Sequence, residues 1–303
     1  MPAVKAMASK QKVGVKINAN DLNSYDCVAC TAGKAKRMNH ANRSLRELQP
    51  LSILMMDVCS MDEPTARGAT MFLYVVDEVT RYKWAYLMEA REDTTYYLIK
   101  LMNELRTQFN QFQVQRLHSD QGGEFASTEL ETYCAKEGII LQTTNGYLPQ
   151  ENGVVERANG VVLPRIRALQ FATPMPDLLW GEALLHVVDT LNKLPTQPLS
   201  MQSPHERLYG AAPDLSVLRT WGCLAWDYIP PESRRRKEKL KPRARLSLLL
   251  GYSSYTKGYK FLDLLTCQVV TAQGGNAHFH EDFTAEGDYV KHLLENNYLD
   301  CMH

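Results

Sequence analysis

The sequence predicts an α/β domain with a mixed sheet, followed by a small module made of β-strands alone. Between residues 51 and 193, short apolar runs alternate with segments of helical period, which is typical of α/β domains. From residue 218 onward, short strand-like runs dominate instead. The 303 residues are enough for one large domain or two smaller ones, and the hydrophobic content of 45% is ordinary for a soluble globular protein.

The first three strands are predicted at residues 51–59, 71–79 and 82–88. Their connections are short, which favours antiparallel pairing between neighbours. A helix is predicted at residues 93–109, because Leu98, Met102, Leu105 and Phe109 recur at helical spacing and share one face.

The next elements continue the alternation of strands and helices. A strand at 114–120 ends in the turn signal QGG, and a helix at 128–137 follows it. Thr128 is the predicted N-cap of that helix, and Glu131 completes a capping box. The remaining elements are a strand at 139–144, helices from about residue 152 and at 177–193, and strands of the small module at 221–229, 245–252, 259–262 and 267–271.

Charge is distributed unevenly although the totals balance at 34 basic and 34 acidic residues. Residues 234–245 contain eight Lys or Arg and one acid, whereas residues 281–303 contain six acids and one Lys. The basic segment can bind phosphate or act as a nuclear localisation signal, and a solvated loop between two strands explains it about equally well.

The cellular environment is indicated by the cysteines and by the apolar runs. Seven mostly widely spaced cysteines do not resemble a disulfide framework and favour a reducing compartment. No apolar run approaches the roughly 18 residues that span a bilayer. We therefore expect a protein of the nucleus or cytoplasm with no membrane partner.

Three carboxylates are candidate metal ligands. Asp57 lies within the apolar first strand, where a charge is costly to bury unless it is paired or holds a metal. Asp120 ends the fourth strand, where ligand sites of α/β sheets tend to lie, and Glu156 lies near the start of a helix. Mg²⁺ held by such oxygen ligands supports phosphodiester transfer. Singly, each residue is more often a strand-edge, turn or helix-dipole residue, so only their combination favours a metal site.

The segments around these carboxylates resemble the integrases of copia-type LTR retrotransposons. LHSDQGGEF at residues 117–125 is similar to the second-aspartate motif, PQENGVVERAN at 149–159 to the third-carboxylate motif, and MDVC at 56–59 to the first. The 35 residues between Asp120 and Glu156 match the D,D-35-E spacing of retroviral and LTR-element integrases. WGC at 221–223, LLGY at 249–252 and KGY at 257–259 resemble the SH3-like module that follows the copia integrase core.

This resemblance runs from about residue 27 to residue 282 and implies a fold, an activity and a site. The implied fold is an RNase H-like mixed sheet flanked by helices, followed by a small SH3-like β module. The implied segments are a truncated zinc-module remnant and linker at 1–47, the catalytic core at 48–212, the SH3-like module at 218–282 and an acidic tail at 283–303.

The implied activity is 3′-end processing and strand transfer on DNA by a homo-oligomer. The resemblance assigns Mg²⁺ or Mn²⁺ to Asp57, Asp120 and Glu156 as catalytic residues and metal ligands. The predicted nucleic-acid contacts are Gln150, Asn152, Arg157, Arg234, Arg235, Arg236 and Lys237. For Gln150 and Asn152, a structural role as loop polar groups is about equally supported.

Two features depart from the family pattern. The zinc module of the family has two histidines before its cysteine pair, whereas the first histidine here, His40, follows Cys27 and Cys30, which argues against bound zinc. Pro164 lies in the helix of Glu156 and costs roughly 3 kcal/mol in a helix interior, so this helix is predicted to kink or stop near Leu163.

Two alternatives to an active integrase stay open. The first is a catalytically degenerate DNA-binding remnant of the element. The second is an RNase H-like nuclease of RNA–DNA hybrids, against which the D,D-35-E spacing and the SH3-like module argue.

Overall fold

The computed structural model describes residues 49–119, 125, 127–143, 153–234, 240–253 and 256–300. Its first sheet has five strands in the order β3-β2-β1-β4-β5. They are β1 (Ile53–Ser60), β2 (Met71–Asp77), β3 (Lys83–Met88), β4 (Arg116–Ser119) and β5 (Ile140–Thr143). β1, β2 and β3 pair antiparallel, as their short connections predict, whereas β4 pairs parallel with both β1 and β5. The predicted mixed sheet of the RNase H-like fold is therefore confirmed.

Helices cover both faces of this sheet. They are α1 (Asp93–Gln108), α2 (Thr128–Glu137), α3 (Gly153–Ala172), α4 (Trp180–Lys193) and α5 (Pro204–Tyr209), with α6 (Gly287–Asp300) near the end of the chain. Successive strand residues face opposite sides of a sheet. In β1, Ile53 and Met55 pack in the core that includes α3 and α4, whereas Leu54 and Met56 pack in the core that includes α1 and α2.

Helix α3 differs from the sequence prediction at Pro164. The helix is continuous over Gly153–Ala172 with Pro164 inside it, so it does not stop near Leu163, whereas a kink there stays a prediction. Val162 and Ile166 flank the proline and are almost completely buried in the core against the sheet. Tertiary packing of an amphipathic face supplies most of the stability of helices in proteins, and here it outweighs the hydrogen bond that a proline cannot make.

The second sheet has five strands, all antiparallel, in the order β10-β6-β7-β8-β9. They are β6 (Cys223–Tyr228), β7 (Ala244–Tyr252), β8 (Gly258–Asp263), β9 (Val269–Gln273) and β10 (Ala277–Thr284). One face encloses its own small core of Cys223, Ala225, Leu249, Tyr259 and Phe261. This arrangement confirms the predicted small β module.

The other face of the second sheet packs against the first domain. Leu248 and Leu262 are buried in the same core cluster as Leu184 of α4. Beside this shared core, Lys260 Nζ lies 2.6 Å from both carboxylate oxygens of Glu182, and both side chains are mostly buried. The two sheets are therefore held together by apolar packing and by an ion pair.

Helix α6 belongs to this shared core as well. It lies in the segment predicted as an acidic tail, yet its Val290 and Leu294 are buried in the core cluster that contains α3 and α4. Its first residue, Gly287, lies against the carbonyl of Pro174 so closely that an added Cβ would overlap the oxygen. Within the described part of the chain, no helix combines the length and apolarity that a membrane crossing requires.

Candidate active site

Asp57 lies in the middle of β1, the central strand of the first sheet. Because side chains alternate along a strand, Asp57 shares the face of Ile53 and Met55, which is the face covered by α3 and α4. The carboxylate is half-buried rather than enclosed. A charged group in an otherwise apolar strand requires polar partners, and helix α3 supplies one.

That partner is Asn159. Its side-chain Nδ2 donates a hydrogen bond to Oδ2 of Asp57, and the thiol Sγ of Cys59 lies 3.8 Å from the same oxygen. Asn159 is only 8% exposed, and its Oδ1 is buried without a hydrogen-bond partner among the described residues. The contact fixes the first turns of α3 over the middle of β1.

Asp120 itself lies outside the described residues, but the strand that leads to it is described. β4 runs parallel to β1 with Ser119, its last residue, paired with Met56. The end of β4 is therefore level with the residue that precedes Asp57. The prediction that Asp120 ends the fourth strand falls outside the described residues and stays a prediction.

Glu156 is the fourth residue of α3, and its side chain lies outside the described part of the structure. Helical positions three apart lie on one face. Position 156 is therefore on the face of α3 that presents Asn159 to β1. The strand of Asp57, the strand that leads to Asp120 and the helix of Glu156 are thus neighbours.

Two further buried polar groups lie on the same sheet face. Tyr74 pairs with Asp57 across β1 and β2, and its hydroxyl is buried without a hydrogen-bond partner among the described residues. Burial raises the pKa of Tyr74, and the nearby Arg165 guanidinium partly opposes that rise. His118 pairs with Met55 across β1 and β4, and its Nε2 is likewise buried without a described partner. These groups leave unused hydrogen-bonding capacity around Asp57.

The oxygen atoms around Asp57 are of the kind that a divalent cation binds. A carboxylate oxygen is the ligand type that Mg²⁺ prefers, and the buried Oδ1 of Asn159 is an additional oxygen acceptor beside it. Among the described residues, no cluster of three or more His, Cys, Asp or Glu side chains is present. Neither Asp120 nor the side chain of Glu156 belongs to that set.

Most of the predicted nucleic-acid contacts lie outside the described residues. This holds for Gln150, Asn152, Arg235, Arg236 and Lys237, and for the side chain of Arg157. The cysteine pair and the histidine considered for zinc, Cys27, Cys30 and His40, also lie outside the described residues.

The two ends of the basic segment are described. The guanidinium of Arg234 donates to the carbonyl of Ile229 through Nε at 2.8 Å and lies over the ring of Tyr228. Arg245 pairs with the buried Asp227, with Nη2 2.9 Å from Oδ2. Both cations therefore bind groups of the protein itself, which favours a structural role for these two residues.

Asn159 is the site residue that the sequence analysis did not single out. It stands three positions after Glu156, within the segment that resembles the third-carboxylate motif. A helical residue three or four positions from a candidate ligand shares its face, and this spacing was the available signal.

Comparison with known proteins agrees with this geometry. Residues 47–149 match the family model described as "Integrase core domain", and residues 223–291 match "Retroviral polymerase SH3-like domain". The chain is 29% identical over 278 residues to the Retrovirus-related Pol polyprotein from transposon TNT 1-94 of Nicotiana tabacum, with 89% of this chain and 21% of the relative covered. It is 27% identical over 267 residues to that from transposon RE1 of Arabidopsis thaliana, with 88% and 18% covered.

The chain spans about a fifth of the length of these relatives. Among solved structures, the catalytic core domain of BIV integrase is 23% identical, with a TM-score of 0.40, over 53% of this chain and 95% of that chain. The chain carries an integrase core domain followed by a retroviral SH3-like domain, and its homologues are the Pol polyproteins of copia-type plant transposons.

Proposed function

We propose that this chain is a DNA integrase, a polynucleotidyl transferase that trims 3′ ends and joins them to target DNA. The proposal assigns Asp57, Asp120 and Glu156 as the metal ligands. The observation that carries it is the hydrogen bond from Asn159 to Asp57, because it brings the helix of Glu156 onto the strand of Asp57. The match to the integrase core domain supports the same assignment.

The side chains have distinct roles in this proposal. Bound Mg²⁺ or Mn²⁺ would activate the attacking oxygen and neutralise charge on the phosphoryl group. Asp57, on a central strand, supplies a carboxylate whose orientation is set by its neighbours. Phosphodiester transfer depends mainly on positioning, so rigid elements suit the carboxylates better than mobile ones.

DNA is the proposed substrate, and the protein is proposed to act as a homo-oligomer. Gln150, Asn152 and Arg157 flank Glu156 in the sequence and would contact DNA near the site. The exposed Lys241 and Arg243 would add phosphate contacts in the basic segment together with Arg235, Arg236 and Lys237. Such contacts make DNA binding salt-sensitive without requiring a metal.

Asp120→Asn tests the proposal. This substitution removes a carboxylate while keeping the size of the side chain, so metal-dependent joining of a donor DNA end to a target should be lost. Salt-sensitive DNA binding, measured by fluorescence anisotropy, should stay within about twofold, because phosphate contacts supply that affinity. Asp62→Asn is the matched control, since Asp62 is exposed in the loop after β1 and should be dispensable.

The outcomes separate the candidate functions. Joining by the Asp120→Asn variant would remove Asp120 from the site. A wild-type chain that binds DNA but joins no ends with either Mg²⁺ or Mn²⁺ would favour the degenerate remnant. Cleavage of RNA–DNA hybrids without joining would favour the nuclease.

A further inference from the structure

The joint between the two sheets contains a cavity of about 510 Å³. We propose that this cavity is a binding site for a small organic anion with an apolar body, such as an aromatic or aliphatic carboxylate. Pockets that hold small molecules usually enclose roughly 300–1,000 Å³, so the cavity has a suitable size. The inference goes beyond the proposed function and does not depend on it.

The walls of the cavity are mostly apolar, and they come from both halves of the chain. The first domain contributes β3 and the segment before α4, the second sheet contributes β7, β8 and β9, and α6 completes the walls. The apolar residues from these elements are Leu87, Leu178, Leu250, Leu262, Val269 and Leu294. Burial of apolar surface is favourable, so these walls favour an apolar ligand body. A molecule in the cavity would contact both sheets and α6 at once.

The charged groups of the walls favour an anion. The walls contain two charged side chains, Arg67 and Glu182. Glu182 is already neutralised, because Lys260 Nζ lies 2.6 Å from both of its carboxylate oxygens. Arg67 is exposed in the loop after β1, and its guanidinium forms no ion pair with any residue that the structure describes. The charge that a ligand meets is therefore positive, and a guanidinium binds carboxylates through strong charge-assisted hydrogen bonds.

The loop that carries Arg67 is fixed to the start of α4 by two hydrogen bonds. The backbone N–H of Ala66 donates to the carbonyl of Leu178 at 2.9 Å. The indole Nε1 of Trp180 donates to the carbonyl of Glu63, also at 2.9 Å. A site that is formed before the ligand arrives loses little conformational freedom on binding. The position of the cation relative to the apolar walls is therefore set by the fold.

Two fluorescent dyes separate the apolar and the anionic parts of the proposal. Anilinonaphthalene sulfonate carries an apolar ring system and a sulfonate, whereas N-phenylnaphthylamine has the same rings without the charge. Each dye is titrated into the full chain, and we expect both to bind with a stoichiometry of one dye per chain. Fluorescence gives the two affinities.

Arg67→Gln tests the role of the cation. An ion pair at a partly exposed site changes affinity by up to about fivefold, so the variant should bind the sulfonate dye about fivefold more weakly. Its affinity for the neutral dye should stay within twofold. Arg207→Gln is the matched control, because it removes an exposed cation on α5 that does not line the cavity, and it should bind both dyes like wild type.

Val269→Phe tests the location of the site. The larger side chain should occupy the cavity and weaken binding of both dyes at least about tenfold, because overpacking is costly. Gln273→Phe, at the exposed end of the same strand, should bind both dyes like wild type. Cys267 also lines the cavity, so bound dye should slow its alkylation by N-ethylmaleimide, measured by mass spectrometry. Ala66→Leu replaces Val269→Phe if thermal unfolding shows that this variant does not fold.

Three results would overturn the inference. Wild-type affinity of both dyes for the folded Val269→Phe variant, or unchanged alkylation of Cys267, would show that the dyes bind elsewhere. Equal weakening of the sulfonate dye by Arg67→Gln and Arg207→Gln would show an effect of overall charge instead of recognition by Arg67. A wild-type chain that binds neither dye would exclude the site and would leave the integrase proposal untouched.

Discussion

At the scale of single residues, His186 joins a helix of the first domain to the second sheet, and its pKa lies far from the usual range of histidine. It lies on α4, and its ring stacks on Tyr252 of β7, with centroids 5.2 Å apart and planes 14° from parallel. Burial lowers the pKa of His186 to about 4, and the ammonium group of Lys193 contributes in the same direction. The imidazole is therefore neutral in the folded protein at pH 7.

This pKa predicts a loss of stability in acid. Unfolded histidine binds a proton below about pH 6.5, whereas folded His186 does so only near pH 4, so protons favour the unfolded state between these values. The free energy of unfolding should fall by about 2–3 kcal/mol between pH 7 and pH 4.5 through this residue alone. Urea unfolding of wild type and His186→Phe at both pH values checks it. The variant keeps an aromatic ring beside Tyr252 and should lose that part of the decrease.

His292→Gln is the control for this experiment, because its side chain is 75% exposed on α6. It should keep the wild-type difference between the two pH values. A His186→Phe variant that retains the full wild-type decrease would show that other groups cause the acid sensitivity.

The sequence predicted the candidate site only in part, and the difference lies in the kind of signal. Asp57 was detectable because a charge interrupts an apolar run, and Asp120 because a turn signal follows a strand. Asn159 has neither feature, since an amide in a helix is common and its partner is 102 positions away. Contacts of that separation depend on tertiary packing, which local periodicity does not encode.

At the scale of elements, the start of α2 shows how an N-cap assignment can be wrong by one residue although the helix bounds are right. Thr128 was predicted as the N-cap, and that prediction is wrong. The structure has Ser127 at this position, with an extended backbone and an oxygen that accepts from the N–H of Leu130. Both residues are hydroxyl-bearing, so the sequence alone could not separate them. Ser127 Oγ also lies 2.7 Å from Oγ1 of Thr95, which ties α2 to α1.

The cap assignment predicts unequal effects for two adjacent substitutions. Ser127→Ala should lower the free energy of unfolding by about 1 kcal/mol, because a backbone N–H at the helix start loses its acceptor. Thr128→Ala should change it by less than about 0.5 kcal/mol. Chemical denaturation of both variants measures the difference. Equal effects, or a larger effect at Thr128, would contradict the assignment of the cap.

The elements were predicted more completely than the site. Strands β1–β9 and helices α1–α4 were found by their periodicity, within a few residues at their ends except at the end of α3. The short α5 has too few turns for a clear period, and α6 was hidden in a segment that acidic residues made look like a tail. The error at Pro164 had a different source, since intrinsic helix propensity was outweighed by the burial of Val162 and Ile166.

At the scale of the whole molecule, the shared core makes the two sheets one structural unit. Leu248 of the second sheet is fully buried among residues of α3, α4 and α6. A substitution of Leu248 should therefore destabilise both sheets. We expect calorimetry to show one unfolding transition for the described region rather than two.

A pair of substitutions on one strand tests this expectation. Leu248→Ala should lower the free energy of unfolding by about 2–5 kcal/mol and lower the temperature of the single transition, since it leaves a cavity in the shared core. Leu246→Ala, two residues earlier on β7 and 37% exposed, should change it by less than about 0.5 kcal/mol. Two transitions, of which Leu248→Ala shifts only one, would show that the sheets unfold separately.

The close approach of Gly287 to the Pro174 carbonyl has a consequence for which sequences can adopt this architecture. The backbone of α6 at Gly287 touches the turn after α3. The space between them holds a hydrogen atom but no larger substituent. An alanine at this position would displace the helix outward and move Val290 and Leu294 away from the core in which they are buried. The side chain at the first position of α6 thus decides whether this helix can pack on the core that it shares with α3 and α4.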